Sequence, residues 1–162
     1  MSSPSVVLVL ENIRSLHNVG AIFRTADGAG DTALVLTGLT PCPPRHEITK
    51  TALGTVDTVP WSYATRTADA LITLRSQGYT IYALEQTAQA TNLFTTTLSF
   101  PIALVVGHER EGVEPNTLAL CDGQLVLPMK GTGAHSLNVA HASAIALYEC
   151  QRKQWYYKEN AD

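Results

Sequence analysis

Short apolar runs rich in β-branched residues alternate with segments of helical periodicity, and that alternation restricts the possible folds more than any other feature of the chain. Val6 to Leu10 reads as a strand, and Val19 to Ala29 as a helix with Val19, Ile22, Phe23 and Ala26 along one face. Ala33 to Leu36 reads as the next strand, and Thr67 to Ser76 as a helix. Further strands are expected at Tyr79 to Leu84, Pro101 to Val106 and Gln124 to Leu127, each bounded by Gly, Pro or polar turns. The chain closes on an Ala-rich helical pattern, Leu137 to Lys153, with Ser136 placed as its N-cap. A stiff loop of Thr, Pro and Gly, Thr37 to Pro44, interrupts the first half, and its prolines bar a helix there. The predicted class is α/β, with a mostly parallel sheet flanked by helices.

The 162 residues, 45% of them hydrophobic, suffice for one sizeable core and not for two, so a single compact domain is expected. No apolar run approaches the ~20 residues of a membrane span. The opening MSSPSVVLVLEN lacks the basic start and long apolar stretch of a secretory signal, so a cytoplasmic location is expected. Cys42, Cys121 and Cys150 are widely spaced, form no CxxC pair and read as free thiols of a reducing compartment. The 11 Lys plus Arg against 14 Asp plus Glu leave a net charge of -3, the reverse of a broadly basic nucleic-acid binder. Any nucleic-acid contact is therefore a local patch, for which Arg14, Arg24, Arg45, Lys50 and Arg110 are the candidates.

Three segments carry candidate chemistry. In HNVGAIFRTADGAG, Asn18 precedes the helical run as a possible N-cap, and Gly20 and Arg24 share a helix face, with Arg24 expected to lie over the gap that Gly20 leaves. A helix terminus beside a guanidinium suits a phosphate or ribose oxygen, although a surface arginine beside a packing glycine fits the same pattern. PIALVVGHEREGV reads as a buried strand ending at Gly107, where a missing side chain admits a ligand to the backbone. Glu109 then sits at the strand's carboxyl end, either as an orienter of Arg24 or as a solvated acidic turn. QLVLPMKGTGAHSLNV repeats the plan of strand, Pro128 stop, glycine loop and helix.

Its Gly131-x-Gly133-x-x-Ser136 lacks the third glycine of a dinucleotide fingerprint, and no strand or distal acid follows. A phosphate-binding P-loop fails too, because Lys130 precedes the glycines. His135 and His141 are spaced poorly for one helical face, so no metal is expected.

Taken in order, N-x-G-x-x-x-R-T-A, G-x-E-x-x-G and S-L-N-V resemble the three motifs of the SpoU (TrmH-like) RNA 2′-O-methyltransferases of the SPOUT superfamily, over nearly the whole chain. The resemblance implies an α/β domain with a deep trefoil knot near its carboxyl end, S-adenosyl-L-methionine held in the knot loops, a homodimer, and methylation of a ribose 2′-hydroxyl in tRNA or rRNA. Matched position by position, Asn18, Arg24, Glu109, Ser136 and Asn138 fall on the family's catalytic pattern. Gly107, Leu127, Met129, Ser136 and Leu137 fall on the cofactor loops, with Leu84 and Glu85 as an addition from the preceding strand. The extra RNA-binding segments of larger members are missing, and AHASA follows SLNV.

Two other functions compete with this one: a catalytically silent RNA-binding module of the same fold, and a nucleotide-dependent oxidoreductase built on GTGAHS. The resemblance also offers Arg24 as a base. Arginine's ordinary pKa lies so far above neutrality that poising it there costs roughly 7 kcal/mol. A charged Arg24, held by Glu109 and Asn18 and stabilising the developing alkoxide, is the expectation adopted here. The apolar content of the last helix around Ile145, Leu147, Tyr148 and Trp155 is where the dimer is expected to form.

Overall fold

The computed structural model describes residues 2–133 and 135–161. Among them, seven strands form one parallel sheet: β1 (Val6–Glu11), β2 (Thr32–Thr37), β3 (Trp61–Ala64), β4 (Thr80–Leu84), β5 (Thr91–Asn92), β6 (Ile102–Val106) and β7 (Gly123–Val126), in the spatial order β3-β2-β1-β6-β4-β7-β5. Five α-helices accompany it: α1 (Leu16–Ala29), α2 (His46–Ala52), α3 (Thr67–Ser76), α4 (Pro115–Leu120) and α5 (Val139–Glu159). The expected class, a parallel sheet flanked by helices, is what the chain adopts.

The central strands are continuous apolar runs because both faces of the sheet are covered. Val6, Leu8 and Leu10 of β1 and Ile102, Leu104 and Val106 of β6 join the side chains of α1 and α5 in one buried cluster. The intervening Val7, Val9, Ala103 and Val105 join Leu71 and Leu74 of α3 on the other face. The register pairs Leu10 with Val106, and Ala83 of β4 with Val105, so the carboxyl ends of β1, β6 and β4 finish at one level. In open α/β sheets that edge is where ligands gather.

Several boundaries differ from expectation. Helix α1 starts at Leu16 and is capped by Ser15, whose side chain accepts from the Asn18 N–H, so Asn18 is a buried first-turn residue and not the N-cap. Ser136 is likewise not the cap of the last helix: the Asn138 carboxamide accepts from the N–H groups of Ala140 and His141, and α5 begins at Val139. A cap needs its oxygen at the terminus itself, and Asn138 is adjacent to it where Ser136 is not. The short α2 has only Ile48 and Ala52 buried, and edge strand β3 exposes Trp61 and Tyr63, so neither carries a strong periodic signal. Helix α4 carries a start signal instead, Pro115 in its first turn. Cys42, Cys121 and Cys150 are free, and burial, with the Glu149 carboxylate, pushes the Cys150 thiol up to about 12. Among the described residues no helix is long and apolar enough to cross a membrane.

Candidate functional site

At the carboxyl ends of β4, β6 and β7 lies a cavity of about 470 Å³. Leu84 and Glu85 line it from the end of β4, Gly107 from the end of β6, and Leu127, Met129, Ser136 and Leu137 from the segment between β7 and α5. These positions belong to three stretches of chain that the parallel topology brings together. Val106, Val139 and Ala142 add apolar wall, while Glu109, Arg110 and Glu111 line the cavity from the turn after β6.

That turn is folded tightly against its own strand. A side chain on Gly107 would meet the Gly112 carbonyl carbon and the Val113 nitrogen, each 2.4 Å from the first added carbon. The absent side chain at Gly107 thus admits the chain's own turn to the backbone, as well as bordering the cavity. The Glu85 carboxylate accepts from Val113 N–H at 2.8 Å and Gln86 N–H at 2.9 Å, tying the turn to the end of β4. Glu11, buried at the end of β1, accepts from the Glu114 N–H at 2.8 Å and from the Thr117 hydroxyl, holding the start of α4.

Glu109 joins the turn to α1. Its carboxylate accepts from the backbone N–H groups of Arg14 at 3.2 Å and Ser15 at 3.1 Å, and from the Asn18 carboxamide at 3.3 Å. The Asn138 carboxamide in turn donates to Asn18 Oδ1 at 3.3 Å while capping α5. Glu109, Asn18 and Asn138 therefore form one hydrogen-bonded chain that spans all three sequence segments. Partial burial pushes the Glu109 carboxyl up, but the N–H groups of Ser15, of Glu109 itself and of Arg14, with the Asn18 amide, outweigh it and leave the carboxyl below its ordinary value. Negative charge at this point also suits the amino terminus of α1.

Arg24 is elsewhere. It lies about 9 Å further along α1 than Asn18 and lines a second cavity, also about 470 Å³, between α1, α2 and α5. His17, Lys50, Thr51, Leu53 and Tyr148 share that cavity, and none of its lining residues is acidic. Asp27, one turn beyond Arg24, accepts from the Thr58 hydroxyl at 2.6 Å instead. The expectation that Glu109 orients Arg24 is corrected accordingly: Glu109 holds the backbone just before α1 and the Asn18 side chain, whereas Arg24 makes no hydrogen bond or ion pair to another described residue. The space left by Gly20 is not covered by Arg24 either. It is filled by α2, whose Thr51 hydroxyl and Ile48 carbonyl would stand 1.7 and 2.5 Å from an added carbon.

Of the candidate patch, Arg24 and Lys50 meet in this second cavity, Arg110 lines the first, and Arg14 and Arg45 sit exposed at the starts of α1 and α2. Sequence reasoning missed His108, which lines the first cavity, and Asn12, whose carboxamide accepts from Leu39 N–H and donates to Glu114, joining the loops after β1, β2 and β6. Asn12 has φ 53°, a left-handed conformation favourable to Asn. An Asn directly after the buried run of β1 was the available signal.

The model of the SpoU rRNA Methylase family matches residues 5–148. The 23S rRNA (guanosine-2′-O-)-methyltransferase RlmB of Vibrio parahaemolyticus is 34% identical over 150 residues, 92% of this chain and 60% of that protein. The chain thus spans about three fifths of the length of the curated relatives it matches. The crystal structure of the AdoMet-bound rRNA methyltransferase from Sinorhizobium meliloti superposes with a TM-score of 0.86 at 30% identity, covering 93% of this chain and 57% of that one. AviRb, a SpoU methyltransferase from Streptomyces viridochromogenes, has the same fold, with a TM-score of 0.87 at 21% identity over 96% of this chain and 62% of its own.

Proposed function

Since the chain belongs to the SpoU rRNA Methylase family, we propose that it transfers a methyl group from S-adenosylmethionine to a ribose 2′-hydroxyl of tRNA or rRNA. One observation carries this reading: Leu84, Glu85, Gly107, Leu127, Met129, Ser136 and Leu137, which match the family's cofactor pattern, all line one cavity. Its volume of about 470 Å³ falls in the range of small-molecule sites. Leu84, Leu127, Met129 and Leu137 offer apolar walls for a purine, and Glu109 and Glu111 offer carboxylates for a cationic ligand. When bound, the cofactor supplies a methyl group on a positively charged sulfur.

The chain's own residues supply placement and charge. Glu109, Asn18 and Asn138 hold the turn after β6, the start of α1 and the start of α5 in one arrangement. Ser136 stands in the wall of the cavity for polar contact with substrate or cofactor. Arg24 stays charged and stabilises the alkoxide that develops as the 2′-hydroxyl loses its proton to water or to the adjoining phosphate. RNA binds, in the cytoplasm, through a few cations: Arg24 and Lys50 in the second cavity, with Arg14, Arg45 and Arg110 as lesser contacts.

Because Arg24 lines a different cavity from the cofactor residues, the reading includes a homodimer in which Arg24 serves the cofactor cavity of a second copy. Ile145, Tyr148 and Trp155, which are 42%, 48% and 49% exposed on α5, support that contact. Leu147 does not: it is fully buried in the chain's own core. The reading also includes the trefoil knot. Its support is that the chain leaves β7, beyond β4, and returns as α5 to pack on α1 and β1.

The test is transfer of a labelled methyl group into RNA from cells lacking this gene, followed by nucleoside analysis. A 2′-O-methylated nucleoside is expected. Failure to bind S-adenosylmethionine, or a methyl group found on a base, overturns the reading.

A further inference from the structure

His108 has no part in the roles assigned above, yet it shapes the turn on which they depend. Its Nδ1 accepts hydrogen bonds from the backbone N–H groups of Arg110 at 3.0 Å and Glu111 at 3.1 Å. Both partners are donors, so Nδ1 must present its lone pair and the ring proton must sit on Nε2. The same turn is closed by the Gly112 N–H, which donates to the His108 carbonyl at 2.9 Å across a short antiparallel bridge. Beyond the ring, the turn is anchored to β4 through Glu85 and to α1 through Glu109. The imidazole therefore organises, from inside, the segment that walls the first cavity and carries Glu109.

We propose that His108, as the neutral Nε2–H tautomer, is a positioning residue that holds the turn from Gly107 to Val113 in its cofactor-binding shape. This rests on the reading of the first cavity as the cofactor site. A second proton on the ring turns Nδ1 into a donor facing two backbone donors, so both hydrogen bonds are lost together. Cofactor binding then weakens in acid. The titratable groups that share the cavity with His108 are Glu109, Arg110 and Glu111 on its own turn and Glu85 after β4. The segment after β7 contributes Leu127, Met129, Ser136 and Leu137, none of which titrates.

Asparagine separates the acceptor from the titration, because its carboxamide oxygen accepts backbone N–H groups in just such turns and has no proton to gain. The first measurement is nitrogen NMR of the imidazoles in the full chain without ligand, where His108 is expected as the Nε2–H tautomer near neutral pH. A predominant Nδ1–H tautomer overturns the proposal. The second is calorimetry with S-adenosylmethionine for wild type, His108→Asn and His108→Ala at about pH 8 and about pH 5.5.

Wild-type affinity is expected to fall about tenfold in acid, the low end of the net worth of two hydrogen bonds. His108→Asn should restore tight binding and flatten the profile, and His108→Ala should be about tenfold weak throughout. An unchanged acid loss in His108→Asn, or wild-type affinity in His108→Ala at the upper pH, overturns the role. If wild type binds no cofactor at any pH, the cofactor reading of the cavity is what has failed, and the tautomer measurement still decides whether His108 organises the turn.

Discussion

Two cavities of equal size, about 470 Å³ each, are built on opposite plans. The first is made from loops at the sheet's edge, and Glu85, Glu109 and His108 in its wall accept backbone N–H groups within the chain. The second is made from the outer faces of α1, α2 and α5, and its cations Arg24 and Lys50 have no partner among the described residues. A polar group with its partners in place holds a shape, whereas unpaired cations are free to receive one. The cavity at the sheet's edge is therefore held in shape by the chain's own hydrogen bonds, whereas the one on the helices presents two cations without partners among the described residues.

The largest expected effect is on the second cavity. Arg24→Ala should lower single-turnover methylation by ~2.7 to 4 kcal/mol of transition-state stabilisation while leaving cofactor affinity unchanged by calorimetry. Arg24→Lys should retain part of the rate and level off at the same pH as wild type. A displaced plateau in the lysine variant would make Arg24 the base instead, and a lost cofactor affinity in Arg24→Ala would merge the two cavities into one.

Gly20→Ala comes next, because the added carbon collides with Thr51 and the Ile48 backbone. A loss of about 1 to 3 kcal/mol in denaturant unfolding is expected, with α2 displaced and RNA affinity lowered before cofactor affinity. Equal loss of both would show that the cavities are mechanically coupled.

Glu109→Gln tests the first plan at its seam and should cost about 1 kcal/mol of stability near neutral pH, since the pair groups are partly solvated. The folded carboxyl lies below its ordinary value, so its contribution is present above the unfolded pKa of ~4.3 and is lost as pH falls through the lowered folded value. Unfolding curves of wild type and Glu109→Gln should therefore converge in acid, and a gap that persists there contradicts the assignment. The smallest effect is the salt dependence of RNA binding: with net charge -3 and a local patch, affinity should fall modestly with salt. A slope equivalent to ~10 phosphate contacts would reveal a far larger basic surface.

The parallel sheet was legible because β1, β2, β4 and β6 are apolar runs whose burial leaves a direct mark on composition. Motif order picked out Leu84, Glu85, Gly107, Leu127, Met129, Ser136 and Leu137, and the structure brings them to one cavity at strand ends that share a level. The partners of Glu109 were not. Arg14 and Ser15 meet it through backbone N–H groups, and backbone donors are the same whatever the residue, so no letter in the sequence announces them. The caps failed for a related reason: Ser15 and Ser136, Asn18 and Asn138 are all competent capping residues, and only the path of the chain selects among them. The strands β3 and β5 escaped notice because their side chains are mostly exposed, and the backbone pairing that defines them has no side-chain signature.

The strand order also sets a timetable. β1 pairs on one side with β2, close in sequence, but on the other with β6, where Val6 meets Ile102, a separation of 102 − 6 = 96 residues. At ~5–20 residues per second of synthesis, the second edge of β1 waits roughly 5 to 20 s for its partner. During that interval VVLVLE is an apolar strand with an open edge, the kind that recruits other chains. An interior strand of the finished fold is thus a vulnerable segment of the nascent chain, and a ribosome-bound chain stalled before β6 should be held by chaperones or aggregate.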